Sequence, residues 1–224
     1  MTPDAGCPVI VSDEPWQGDL AVTGPEAVTP ERIVEAARRK LGLPLIIAER
    51  DQTILRELSP GDYPAVCRLV TEEHSEVPGQ ESHPDVRERK PEESRAFLHS
   101  EMKLADPEYF AAYVKNQYPL FGYGLWGLFR KNDGELLGIA GFDAPPDDSA
   151  DLELGYHIGK DFRRQGHALD ACLAALSYAE KELGAERILI RIRRDNLPSL
   201  RLSEKLKASL LQMKGRFRIH ITVL

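Results

Sequence analysis

The chain has 224 residues, 42% of them hydrophobic and 29% charged, a balance that buries a substantial core without disulfide or metal staples. Its formal net charge of −7 speaks against a general nucleic-acid surface, which needs clustered cations, and fits a cationic or amine-bearing partner better. Scattered Cys7, Cys67 and Cys172 build neither a disulfide framework nor a zinc site, Met1-Thr2-Pro3-Asp4 lacks a secretory start, and no apolar run reaches membrane length, which reads as a soluble, cytoplasmic protein with no membrane partner.

Residues 1–50 read as a small α/β extension. Val9-Ile10-Val11 and Asp19 to Thr23 are strand-like. Thr29 suits an N-cap with Pro30 in the first turn, and Ile33, Ala36, Ala37 and Leu41 mark an apolar helix face that Gly42 stops. Leu45 to Ala48 reads as a strand. Too short to hold a core alone, this piece docks on the rest or pairs with another chain, which leaves a homodimer open.

Residues 51–224 read as the main domain. Thr53 to Leu58 alternates as a strand, and Ser59-Pro60-Gly61-Asp62 opens a helix with Val66, Leu69 and Val70 inward. Helical stretches follow around Asp85 to Lys103 and Asp106 to Gln117. Asn132-Asp133-Gly134 joins the strand-like runs Gly124 to Arg130 and Leu136 to Phe142 as a hairpin. After a Pro145–Asp148 loop, Leu152 to Ile158 is a strand. A helix with Leu169, Cys172, Leu173, Leu176 and Leu183 on its stripe runs to Gly184. Ile188, Ile190 and Ile192 alternate in the next strand, with Arg191 and Arg193 on its other face, and Asn196-Leu197-Pro198-Ser199 starts a last clear helix.

The most informative segment is Arg163-Arg164-Gln165-Gly166-His167-Ala168, between that strand and helix. The first amides of a helix have no partner within it, and the macrodipole adds positive potential there. Gly166 admits positive φ and close approach of an anion. The turn reads as a pyrophosphate cradle.

In this order of elements, Arg163, Gly166 and Ala168 meet the pattern Gln/Arg-x-x-Gly-x-Gly/Ala. Glu153-Leu154-Gly155-Tyr156-His157-Ile158 precedes them, and Asn196-Leu197-Pro198-Ser199 with Glu204-Lys205-Leu206 follows. From about residue 52 to 206 the chain resembles the GNAT superfamily of acyl-CoA-dependent N-acetyltransferases, most of all the branch with the ribosomal-protein N-terminal acetyltransferases. The resemblance implies an α/β fold: a mixed, mostly antiparallel central sheet, splayed at the acyl-CoA site and flanked by helices. It implies acetyl-CoA as co-substrate, no metal, and direct transfer to a primary amine on a small molecule or a peptide N-terminus. The amides from Arg164 through Gln165, Gly166, His167, Ala168 and Leu169 suit the pyrophosphate. Tyr156, His157 and Ile158 would line the pantetheine arm along an unpaired strand edge, with Asn196 capping it. Asn196 also suits a plain helix N-cap.

Transfer requires a deprotonated amine, a donor for the oxyanion and a proton for the thiolate. Glu153 is the candidate base, directly or through a water, with His157 as substitute. Ser199 matches a serine that often follows the asparagine. Ser203 stands where many members carry a tyrosine acid, and Arg191 where some carry a glutamate. Lys205-Leu206-Lys207-Ala208 lacks the family's glycine stop, so the last helix runs on toward Met213, or two strands meet at Lys214-Gly215. Glu72, Glu73, His74, Tyr118, Tyr123 and Trp126 are candidates for the acceptor side. Two readings stand beside the enzyme: a non-catalytic acyl-CoA-binding module and a purely structural protein.

Overall fold

A computed structural model describes residues 10–12, 20–21, 25, 28–72, 101–143, 151–215 and 217–224. The expected Pro145–Asp148 loop, residues 85–100 and Cys7 lie outside them. Two short strands, β1 (Val11–Ser12) and β2 (Leu20–Ala21), pair in parallel. Helix α1 (Pro30–Lys40) starts as its sequence predicts, with the Thr29 side chain accepting from Arg32 N. Ala36 and Ala37 bury its inner face, whereas Ile33 and Leu41, expected there too, are exposed.

β3 (Ile46–Glu49) and β4 (Thr53–Arg56) lead into a 3₁₀ turn (Pro60–Asp62) and α2 (Tyr63–Glu72). Asp62 accepts from the Ser59 amide and hydroxyl and from both terminal nitrogens of Arg56, which locks this entry. After a helical stretch at 101–103, Asp106 caps α3 (Pro107–Phe121), which ends on left-handed Gly122. β5 (Leu125–Arg130) and β6 (Leu136–Asp143) form the expected hairpin, with Gly134 at φ 72°. β7 (Leu152–Ile158), α4 (His167–Glu182), β8 (Arg187–Arg193), α5 (Leu197–Lys205), β9 (Ser209–Lys214) and β10 (Phe217–Val223) complete the chain.

Among the described residues, eight strands form one sheet in the order β3-β4-β5-β6-β7-β8-β10-β9. Within this sheet every pairing is antiparallel except β7 with β8. One face packs on α4, where Trp126 of β5 meets Phe142 of β6 and Tyr178 of α4 edge to face. Partners directly opposite in a ladder share a face. Phe142 opposes Leu154 and Ala140 opposes Tyr156, so Leu154 and Tyr156 lie on the α4 side. Asp143, Gly141, Glu153, Gly155 and His157 are therefore on the opposite face.

Two expectations are corrected and one open alternative is decided. Of the two endings the sequence allows, the structure takes the two strands that meet at Lys214-Gly215, and the last helix does not run on to Met213. Lys207 takes φ 58°, the left-handed turn that glycine gives elsewhere, and the chain re-enters the sheet as β9. Leu173, expected on the buried stripe of α4, is 43% exposed, because small Ala171, Ala174, Ala175 and Ala179 take the seat against the sheet. The β4 strand ends at Arg56 rather than Leu58, because the buried Glu57 carboxylate turns to bind Arg39 of α1 and the amide of Leu45.

Candidate active site

Strand β7 is closed on one side and half open on the other. Against β6 it is paired from Ile158 to Glu153, opposite Gly138 to Asp143. Against β8 it is paired only at Leu152↔Ile188 and Glu153↔Leu189. From Leu154 to Ile158 the two strands part, and the Tyr156 hydroxyl spans the wedge to donate to Ser199 Oγ on α5 at 2.8 Å. Burial, partly offset by that contact, pushes the Tyr156 phenol up to about 12, so it stays a donor at neutral pH.

The Arg-rich turn lies at the far end of the wedge. Gly159 and a 3₁₀ turn at Lys160–Phe162 lead into it, and Arg164 and Gly166 both take positive φ, 63° and 91°. The first hydrogen bond of α4 runs from Asp170 N to Gly166 O, so the amides of His167, Ala168 and Leu169 precede the helical ladder. A Cβ on Gly166 would meet no atom within 4 Å and would stand in open space. Arg163 Nε donates to the Ile158 carbonyl at 2.9 Å, and Gln165 Nε2 to the Asp161 carbonyl at 3.0 Å, which together hold the turn against the strand end. A left-handed, side-chain-free entry into a sixteen-residue helix suits an anionic pyrophosphate.

The side opposite α4 carries the ionisable groups. Glu153 is buried beside Arg191, whose Nε lies 3.3 Å from both carboxylate oxygens. Asp143 stands directly across the ladder from Glu153. Burial and then the Asp143 carboxylate push the Tyr109 and Tyr123 phenols up, which places those rings near the same end. Past the facing glycines Gly141 and Gly155, His157 Nδ1 touches the Glu101 carboxylate.

Among the residues expected at the site, the fold brings Tyr156, Ser199 and the turn from Arg163 to Leu169 to the wedge, with Glu153 and His157 on the face opposite α4. Ile158 ends β7 and is buried. Asn196 is exposed and caps α5, its Oδ1 accepting from Ser199 N at 3.2 Å. Ser203 is buried, and its hydroxyl turns back to the Leu200 carbonyl at 2.8 Å. Tyr118 and Trp126 are core residues, Tyr118 donating to the Leu125 carbonyl, while Glu73 and His74 lie outside the described residues. Sequence reasoning missed Glu101 and Asp143. Glu101 lies 56 positions from His157, and Asp143 gains meaning only from strand register. Among the described residues no group of three or more His, Cys, Asp or Glu could hold a metal, and no helix is long and apolar enough to cross a membrane.

The comparisons with known proteins agree with this geometry. YjdG of Bacillus subtilis, an uncharacterized N-acetyltransferase, is 28% identical over 127 residues, 57% of this chain and 75% of its own length. YoaA of Bacillus subtilis, also an uncharacterized N-acetyltransferase, is 35% identical over 81 residues, 36% of this chain and 46% of its own. RimL, a ribosomal L7/L12 α-N-protein acetyltransferase solved in complex with coenzyme A, has the same fold at a TM-score of 0.60 and 17% identity, over 80% of this chain and 98% of that one. The family model described as an acetyltransferase (GNAT) domain matches residues 52–209. The chain therefore belongs to the GNAT family and is an acetyltransferase.

Proposed function

We propose that the protein transfers an acetyl group from acetyl-CoA directly to a primary amine, on a small molecule or a peptide N-terminus. The observation that carries this reading is the wedge. β7 and β8 are paired at their start and parted from Leu154 onward, and the parted stretch leads straight to the Arg164–Leu169 turn. An amide-bearing arm adds to such an edge as an extra strand would, with its pyrophosphate on the helix amides. RimL, which shares the fold, has been solved with coenzyme A bound.

The residues divide the chemistry between the two faces of β7. On the α4 side, Ser199 accepts from Tyr156 and keeps its own proton to give to a departing sulfur. Ser203, the other hydroxyl candidate, spends its proton on Leu200. On the acceptor side, Glu153 and His157 are the candidates to take a proton from an ammonium, and strand register sets both on the face opposite α4. Asp143 and the tyrosine rings near it favour a cationic acceptor by charge and cation–π attraction.

The test is calorimetric titration of acetyl-CoA into three proteins. The wild type is expected to bind with micromolar affinity, and Gly166→Trp to lose that binding. Gly184→Trp is the control for strain: it has positive φ, 62°, and open space like Gly166, but sits at the other end of α4. It is expected to bind as the wild type does. Equal behaviour of all three proteins, or no binding by any, would overturn the reading. Thiol release from acetyl-CoA with a panel of amines then identifies the acceptor class.

A further inference from the structure

We propose that the outer edge of β9 takes an acidic, extended segment of a partner protein as a ninth strand of the sheet. β9 ends the strand order and pairs only with β10. Its outer edge carries backbone donors and acceptors, and among the described residues no hydrogen bond other than the pairing with β10 engages Ser209 to Met213. Three large apolar side chains crowd into four residues there: Leu210, Leu211 and Met213 are 53%, 54% and 47% exposed. Leu210 stands opposite His220 and Met213 opposite Arg218, so both lie on the face those two basic residues share.

The charge around the edge indicates the partner. Residues 205–218 hold Lys205, Lys207, Lys214, Arg216 and Arg218 and no acid, in a chain of net charge −7; the nearest acid, Glu204, precedes the run. Lys205 and Lys207 are exposed at the entry to β9, and Arg201 is exposed one turn earlier on α5. Arg187 and Arg193 on β8 are matched by Asp151 and Asp195. Among the described residues, Arg201, Lys205, Lys207 and Arg218 make no ion pair, and Arg218 Nε is buried with no hydrogen-bond partner.

A second copy of the chain fits this edge poorly. Antiparallel pairing of β9 with itself brings two runs of five cations together, and Leu211 is the extra residue of a bulge opposite Ile219 and His220. Lysines and bulges keep edge strands from pairing with their own copies. Nucleic acid fits poorly too, because phosphates donate nothing to the strand's carbonyls and the edge offers leucine and methionine where bases need aromatic rings. An acidic strand uses all three features: main-chain pairing, apolar contact on alternate residues, and charge.

The probe is a short peptide of alternating valine and glutamate with both ends blocked, titrated into the full chain without acetyl-CoA. It has no amine to acetylate, so its result is independent of the transferase reading. Micromolar binding that weakens with salt is expected, with slowed hydrogen exchange at Ser209 to Met213. Lysine in place of glutamate, or serine in place of valine, should weaken it about tenfold or more, and N-methylation of alternate probe amides should abolish it. Leu210→Glu with Met213→Glu should lose about tenfold or more as well. Lys205→Ala with Lys207→Gly, which keeps the left-handed turn, should remove part of the salt dependence. No binding, equal binding of the lysine peptide, or binding that survives N-methylation would overturn the proposal. So would a single-stranded oligouridylate that displaces the peptide and slows the same amides, or a sedimenting dimer of the wild type that Leu210→Glu with Met213→Glu dissociates.

Discussion

The two edges of β7 have the same backbone and opposite uses. Toward β6 the ladder is continuous from Glu153 to Ile158, and in one opposed pair, Gly141 and Gly155, neither residue carries a side chain. Toward β8 the ladder stops after Glu153, and the residues beyond it face a wedge bridged by one tyrosine hydroxyl. The closed edge sets where the strand lies, and the open edge has no pairing with β8 from Leu154 onward. Substitutions along the first should therefore read out as stability, and those along the second as binding and turnover.

The largest expected effect is on the closed edge. A Cβ on Gly141 would stand 2.0 Å from the Gly124 carbonyl oxygen, and φ there is 153°. Backbone cannot give way as a flexible side chain would. Gly141→Val is expected to cost about 4 kcal/mol or more, or to prevent folding. Urea melts followed by circular dichroism test this, and a two-state melt within about 1 kcal/mol of wild type would break the comparison.

Next comes the branch point itself. Glu153 and Arg191 have side chains 3% and 7% exposed, and Arg191→Ala leaves the carboxylate buried without its guanidinium. The expected loss is about 3–5 kcal/mol. Replacing both partners, Glu153→Leu with Arg191→Leu, should recover most of that stability, because desolvation of the pair is then no longer needed. If the double variant melts as low as the single one, the pair does more than hold the branch. A smaller effect is expected from Asn196→Ala, which removes the cap of α5 and should cost about 1 kcal/mol in the same melts.

Much of this contrast is legible in the chain. Leu152 to Ile158 as a strand, Gly166 as the helix entry and Asn196 as a cap follow from alternation, a glycine and a cap residue, all local signals. What escapes is whatever depends on two distant segments meeting. Arg191 is readable as a departure from the resemblance, but not as the partner of Glu153 some 38 positions earlier. Glu101 gives no signal before the fold brings it to His157. Lys207 misleads for another reason. The loss of a glycine stop leaves a longer helix and two strands both open, and the strands win because a lysine adopts the left-handed turn and β9 gains a full strand of pairing with β10. Tertiary pairing outweighs a local preference of about 1 kcal/mol.

The smallest effect sharpens the open edge. Tyr156→Phe removes the hydroxyl that spans the wedge but keeps the ring that packs on the core. One hydrogen bond to a half-buried serine is worth about 1 kcal/mol, and on this side of the strand its loss should show mainly in turnover, as Ser199 loses its fixed orientation. The pH dependence gives the sign. Burial raises the phenol to about 12 in the folded protein, above its ordinary value of 10.0. The unfolded chain therefore ionises first, and the contribution of Tyr156 is fully present below pH 10 and lost as pH rises through about 12. The stability gap between wild type and Tyr156→Phe should be flat from pH 6 to about 9 and close above about 10 in urea melts. A gap that changes between pH 6 and 8 would mean that another group, on the face of the strand opposite α4, senses the wedge.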